Sequence, residues 1–336
     1  MKKLAPIASV ITAAAFMPVM AQTTITVSNW LPPGGVTGVA LGKWCDSLDK
    51  ESKGTMKCNT LAKPVSSPPG TFDAIRDGLA DVSFTVDGYT PGRFVFTQIA
   101  EFPFLGNSAE STSVAYQRVY AKYLAPAGEH RGVKALAVFT HGPGLIFNSK
   151  KPITSSSDVS TLKFRVGGGN INELSRAMGW NVTLKPATET FELLSTGVMD
   201  GTFFPDDAVV TWKLNMVKHA TTFPGGLYNT SFVFMMNQGK YQSLSVDQRA
   251  IIDKISGENA SRLFGQAWDA VDKASRDGAQ KEQGVARVSA SDAFVNEIRS
   301  KQSLIEDKWA SAADAKGLKN AKAILAEFRA EVAKLK

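Results

Sequence analysis

A chain of 336 residues is longer than one ordinary core supports, so two domains are expected. Its formal charge of +7 is mild and spread along the chain, without a basic block or an aromatic RNA-binding motif, which excludes a nucleic-acid partner. Past the first residues, no apolar run approaches the roughly 18 residues of a membrane helix.

Residues 1–21 read as a cleavable leader: Lys2 and Lys3, an apolar run from Leu4 to Met20, and the small-residue signal Val19-Met20-Ala21. Taking those two lysines from the 38 basic residues leaves 36 against 31 acidic ones, a net charge near +5. Export leads to an oxidising compartment, where Cys45 and Cys58 are expected to form one disulfide. Two buried thiols remain the alternative, because spacing does not set a Cα distance. His130, His141 and His219 are not spaced with each other, with cysteine or with carboxylate pairs as zinc ligation requires, so no metal and no cofactor are expected.

From there the pattern is mixed α/β. "TTITVSNW" and "VKALAVF" read as strands, "MKCNTL" as a weaker one, and "VALGKWCDSLDKES" as a helix ended by Gly54. An internal echo follows: "TFDAIRDGLADVSFTV" from Thr71 and "TFELLSTGVMDGTFF" from Thr190 each begin Thr-Phe, with glycine eighth and aspartate eleventh. Each predicts a short helix closed by glycine, a turn carrying Asp81 or Asp200 as a turn former, and a strand. Such copies in the two halves fit two lobes built on one plan.

"LKFRVGGGN" sets Arg165 in an apolar run just before three glycines. A buried unpaired guanidinium costs several kcal/mol, roughly, so Arg165 reaches water, pairs inside the protein, or is kept for an anion from outside. Asn170 with Glu173 resembles a capping box, Leu174 and Met178 share a face, and Gly179 closes the helix. A glycine turn leading from Arg165 into a helix N-terminus makes an anion site; an edge-strand arginine paired with a surface carboxylate is the alternative.

Residues 246 to 286 read as another long helix, with Gly257, Gly265 and Gly278 against it. At the C-terminus Leu318, Ala321, Leu325, Phe328, Val332 and Leu335 form one apolar stripe, expected to pack on the protein itself, with a dimer seam as the alternative. No nucleophile elbow, P-loop, zinc-protease or dinucleotide motif occurs, and the S-x-x-K matches at Ser47 and Ser160 lack companion motifs. An exported two-lobed protein with an anion site and no catalytic constellation is most simply a binder, its cleft between the lobes.

"DVSTLKFRVGGG" followed by "TLKPATETFELLSTGVMDGTFFP" resembles the core of the solute-binding proteins of tripartite ATP-independent periplasmic (TRAP) transporters. The resemblance continues in "IRDGLADVSFTVDGYTPGRF", "EFPFL" and "YQSLSVDQRAIID", covering most of residues 24 to 330. It implies a periplasmic two-lobed α/β protein with mixed sheets, a hinge and a long spanning helix, which closes on an organic acid and docks on a TRAP membrane permease; a monomer is expected, with a dimer through the C-terminal helix as the alternative. The lobes are expected as residues 22–142 plus about 231–272, and 143–230 plus about 273–336. It also implies that Arg165 pairs bidentately with the ligand carboxylate and that Phe204, at a matching family position, lies at the ligand. Gly168 and Gly169, in the turn after Arg165, are expected there too, and Trp30, Tyr89 and Tyr228 sit in loop stretches expected to line the cleft, with a place in the core as the alternative.

Two departures bear on specificity. Many relatives carry a second arginine where this chain has Gly144 or Leu145, and an asparagine in the run that here reads Thr202, Phe203, Phe204, Pro205. Lower charge and more apolar area favour a monocarboxylate with an apolar or aromatic body, such as a 2-oxo or 2-hydroxy acid. A periplasmic enzyme, for which only His141 and His219 are candidate bases, and a sensory module are the competing readings.

Overall fold

The computed structural model describes residues 22–32 and 34–335, so the expected leader lies outside the described residues. Among those described, no helix is long and apolar enough to cross a membrane. Two mixed sheets organise the chain. The first has the order β2-β1-β3-β10-β4, from β1 (Thr23–Val27), β2 (Met56–Thr60), β3 (Val82–Val86), β4 (Val133–Thr140) and β10 (Ser231–Asn237). The second has the order β11-β9-β5-β8-β6-β7, from β5 (Leu145–Asn148), β6 (Phe164–Val166), β7 (Val182–Leu184), β8 (Gly201–Phe204), β9 (His219–Thr222) and β11 (Ala286–Ser289). The chain crosses between them after β4, after β9 and again before β11, so closure about such a hinge moves several strands of chain together.

The internal echo is a structural repeat. Helix Thr71–Arg76 turns at Gly78 (φ 81°) into β3, and helix Thr190–Ser195 turns at Gly197 (φ 73°) into β8, the left-handed glycines closing each helix. Asp81 and Asp200 do more than form turns. Asp81 Oδ2 accepts from Thr26 N at 2.7 Å in the parallel neighbour β1, and Asp200 Oδ2 accepts from Lys163 N at 2.9 Å beside β6. Each carboxylate thus fastens its turn to the adjacent parallel strand, and β3, β5 and β8 run buried along their whole length.

The long helix expected over 246 to 286 is divided. Gly257, at φ 59°, separates helix Val246–Lys254 from helix Glu258–Ala274. Gly265 does not break the second piece but lets it lie against Glu110, where a Cβ would stand 2.5 Å from the Glu110 Cα. This helix joins the lobes: Phe264 stacks on Phe139 at 4.2 Å, Trp268 meets Phe232 at 5.1 Å, and Asp272 Oδ1 accepts from Asp207 N at 2.6 Å on the other side. The C-terminal stripe is core, not an open seam: Leu325, Phe328 and Val332 are buried, Phe328 meets Tyr116 edge-on, and Ser111 Oγ donates to the Leu335 carbonyl.

Cys45 and Cys58 form a disulfide that ties helix Val36–Glu51 to β2, with Cα atoms 5.7 Å apart and a sequence separation of 13. Closing a loop of that length restricts the unfolded chain by about 3 kcal/mol. Reduction is therefore expected to lower the melting temperature by roughly 5 °C without changing ligand affinity, read by parallel melts and titrations with and without reductant.

Candidate functional site

Arg165 sits at the centre of β6, 2% exposed, held there by backbone rather than by acid. Its Nε donates to the Lys185 carbonyl at 2.8 Å, and its guanidinium lies 4.6 Å from the Phe204 ring centroid. Among the described residues no carboxylate lies within ion-pair distance of it. The stack on Phe204 and one carbonyl leave the outer edge of the guanidinium for another acceptor.

That edge faces a cavity walled by residues from both sheets. The first sheet's lobe supplies Trp30, Val86 and Tyr89; the second supplies Arg165, Gly167, Ala187, Phe204, Pro205, Asp207 and Trp212; the crossings and the spanning helix add His141, Tyr228, Thr230 and Trp268. Trp30 is oriented by its Nε1, which donates to the Phe84 carbonyl at 2.9 Å. Tyr89 bridges the lobes, its hydroxyl accepting from Ala187 N at 3.0 Å. The wall is therefore aromatic and rigid, with few polar groups, as suits a small apolar-bodied ligand.

Arg165, Trp30, Tyr89, Phe204 and Tyr228 come together around this cavity; Gly168 and Gly169 do not line it. Gly167 takes that place, while Gly168 and Gly169 (φ 90° and 68°) pack against the other lobe, where a Cβ on Gly88 would stand 2.9 Å from Gly169 N. Nor does the capping box form: Gly169 is the N-cap of helix Asn170–Ala177, and Glu173 pairs with Lys308. The anion at this helix N-terminus is the protein's own Glu101, whose Oε2 accepts from Asn170 N at 2.8 Å while Oε1 accepts from the Ser231 hydroxyl.

Burial without a cation raises the Glu101 carboxyl from its ordinary 4.5 to about 7. A raised acid favours the folded protein fully below the unfolded value, and that contribution is lost as pH climbs through 7, on the order of 3 kcal/mol. Melts of wild type and Glu101→Gln from pH 5 to 8 are expected to show wild type losing ground steadily to the variant. A pH-independent difference would contradict this account of Glu101.

His141 is buried, its Nδ1 hydrogen-bonded to the Gly142 carbonyl and its Nε2 2.8 Å from the Thr230 hydroxyl. The carbonyl can only accept, so Nδ1 carries the proton and Nε2 accepts from Thr230. Burial, with the Arg165 charge nearby, pushes its pKa down to about 4. Neutral and engaged at both nitrogens, it orders the wall. His219 lies in β9, outside the cavity lining. Gly144 has a local reason to lack a side chain: a Cβ there would fall 2.2 Å from the Tyr228 ring, so Tyr228 fills the space a larger residue would need.

Sequence reasoning missed Asp207. It lines the cavity, and burial, with Asp206 adjacent, lifts its carboxyl to about 7; burial and Asp207 raise Asp272 as well. Two acids side by side after Phe204-Pro205 in an otherwise apolar stretch were the available signal. Among the described residues no group of three or more His, Cys, Asp or Glu side chains is placed to hold a metal ion.

The model of the bacterial extracellular solute-binding protein family 7 matches residues 27–312. The chain belongs to this family. A TRAP periplasmic solute-binding protein from Bordetella bronchiseptica, solved with bound (R)-mandelate and (S)-mandelate, superposes with a TM-score of 0.90 at 40% identity over 94% of this chain and 100% of that one. A marine metagenome TRAP solute-binding protein specific for aromatic acid ligands, solved with 3-hydroxybenzoate, gives 0.86 at 31% identity over 94% and 99%. In sequence, the chain is 27% identical over 314 residues to the outer membrane transporter protein TsaT of Comamonas testosteroni, covering 93% of this chain and 92% of that protein. The family and these solved relatives are TRAP solute-binding receptors, not enzymes.

Proposed function

We propose that this TRAP solute-binding protein is a periplasmic receptor for a monocarboxylate with an apolar or aromatic body, a 2-hydroxy or 2-oxo acid being the leading case. The observation that carries this is Arg165: a buried guanidinium without an acidic partner, stacked on Phe204 and facing an aromatic cavity. The ligand carboxylate completes its salt bridge bidentately, and Trp30, Tyr89, Phe204 and Tyr228 bury the body. Arg165 is the one Lys or Arg on the cavity wall among the described residues, enough for one carboxylate. Mandelate and 3-hydroxybenzoate in the related receptors have this chemistry.

The lobes are taken as residues 22–142 with about 231–272, and 143–230 with about 273–336, the last segment sending its C-terminal helix back onto Tyr116 and Ser111 of the first lobe. Ligand binds the closed arrangement more tightly than the open one and shifts the population toward it. The closed receptor, a monomer, then delivers the acid to the membrane permease. Thermal melts against a panel of carboxylates test the class: near 1,000 times Kd a ligand adds about 4 kcal/mol, a shift of several degrees. Aromatic monocarboxylates are expected to shift the melt, and dicarboxylates and uronates to leave it unmoved.

A further inference from the structure

The cavity also holds an acid with no task in carboxylate capture. Asp207 is 3% exposed on the same wall as Arg165, yet among the described residues the two form no ion pair. The nearby cations are taken: Arg276 and Arg287 both hold the neighbouring Asp206. Trp268 also lines the cavity, and its indole Nε1 finds no hydrogen-bond partner; nor does Thr211 Oγ1, one turn after Asp207. Both donors lie close enough to the Asp207 carboxyl to favour its charge, without closing a bond of normal geometry. An unsatisfied buried polar group costs about 1–3 kcal/mol, so the Trp268 donor, on the cavity wall with Asp207, calls for a partner from outside.

A bare phenyl body would leave the Trp268 N–H unsatisfied and would bring an anion past a carboxyl to no benefit. An ammonium would pair with ionised Asp207 but has no lone pair for the indole N–H. A keto oxygen would accept from the indole but bonds Asp207 only when that acid is protonated. A hydroxyl donates and accepts at once, and fits Asp207 in either protonation state.

We infer that Asp207 is the specificity-determining residue of this receptor, and that it recognises a hydroxyl group on an aromatic monocarboxylate whose carboxylate is held by Arg165. The inference rests on the carboxylate reading above and narrows it. It makes Trp268 the second member of the hydroxyl subsite, with its N–H supplied to the hydroxyl oxygen.

Calorimetric titration of the full-length protein with matched acids tests it: mandelate against phenylacetate, 3-hydroxybenzoate against benzoate, and phenylglycine as the amine. Wild type is expected to bind at least one hydroxy acid about tenfold or more tightly than its deoxy partner. Asp207→Ala is expected to bring that ratio close to one, and Asp207→Asn, which keeps shape and hydrogen-bonding capacity, to retain part of it. Equal binding of hydroxy and deoxy acids by wild type, a ratio unchanged in Asp207→Ala, or preference for phenylglycine overturns the role of Asp207 while leaving carboxylate capture intact. If no acid of either kind binds, the carboxylate reading itself falls. Should Asp207→Ala not fold, the wild-type ratios together with Asp207→Asn decide the matter.

Discussion

Replacing Arg165 is expected to abolish carboxylate binding while leaving the ligand-free protein at least as stable. Removing one partner of a buried, hydrogen-bonded ion pair costs about 3–5 kcal/mol, so Kd for the cognate acid is expected to rise on the order of 10²–10³-fold. Without ligand the balance reverses, because Arg165 is a 2%-exposed cation with only the Lys185 carbonyl and the Phe204 face for company. Arg165→Met keeps most of the volume and drops the uncompensated charge, so its ligand-free melting temperature is expected to equal or exceed that of wild type. Arg165→Lys restores charge without the planar fork and is expected to recover only part of the affinity. Calorimetry and melting of the three proteins check both halves. A variant that melts lower without ligand yet still binds the acid would show that Arg165 is structural.

The second large effect is expected from one methyl group. Gly88 belongs to the first lobe, and an alanine Cβ there would stand 2.9 Å from Gly169 N and 3.1 Å from Gly168 C across the cleft. Backbone atoms cannot rotate out of the way as side chains do. Gly88 is not among the positive-φ glycines, so alanine strains nothing within its own lobe. Gly88→Ala is therefore expected to fold and melt like wild type without ligand, to lose at least tenfold in affinity, and to stay expanded under saturating ligand. Small-angle scattering with and without ligand reads the last point. Equal compaction in variant and wild type would mean that the Gly88–Gly168 contact does not gate closure.

The legible parts of this molecule were those written locally. Arg165 announced itself as a charge inside an apolar strand, and the Thr71 and Thr190 segments carried enough turn chemistry to be recognised as copies. What was hidden depended on partners distant in sequence. The glycine turn after Arg165 looked like a ligand loop because nothing local could show that Glu101, 69 residues earlier, occupies the helix N-terminus. The Asn170 cap was misplaced by one residue for a related reason. Gly169 serves as N-cap at φ 68°, and Asn170 turns its side chain to the Gln98 carbonyl. Asp207 was invisible as a site residue because its neighbours Trp268 and Asp272 arrive from a helix more than 60 residues away. The C-terminal stripe was readable as apolar, but only the fold shows Tyr116 and Ser111 covering it.

The proposed hold of Arg165 on the ligand carboxylate is read out by calorimetric titration of wild type with aromatic hydroxy acids, mandelate and 3-hydroxybenzoate among them, each beside its amide. The amide keeps the size, the ring and the hydroxyl and removes only the charge that the guanidinium requires. At least one acid is expected to bind with one-to-one stoichiometry while its amide produces no binding heat. An amide that binds as tightly as its acid, or a panel in which no acid binds, would contradict that hold.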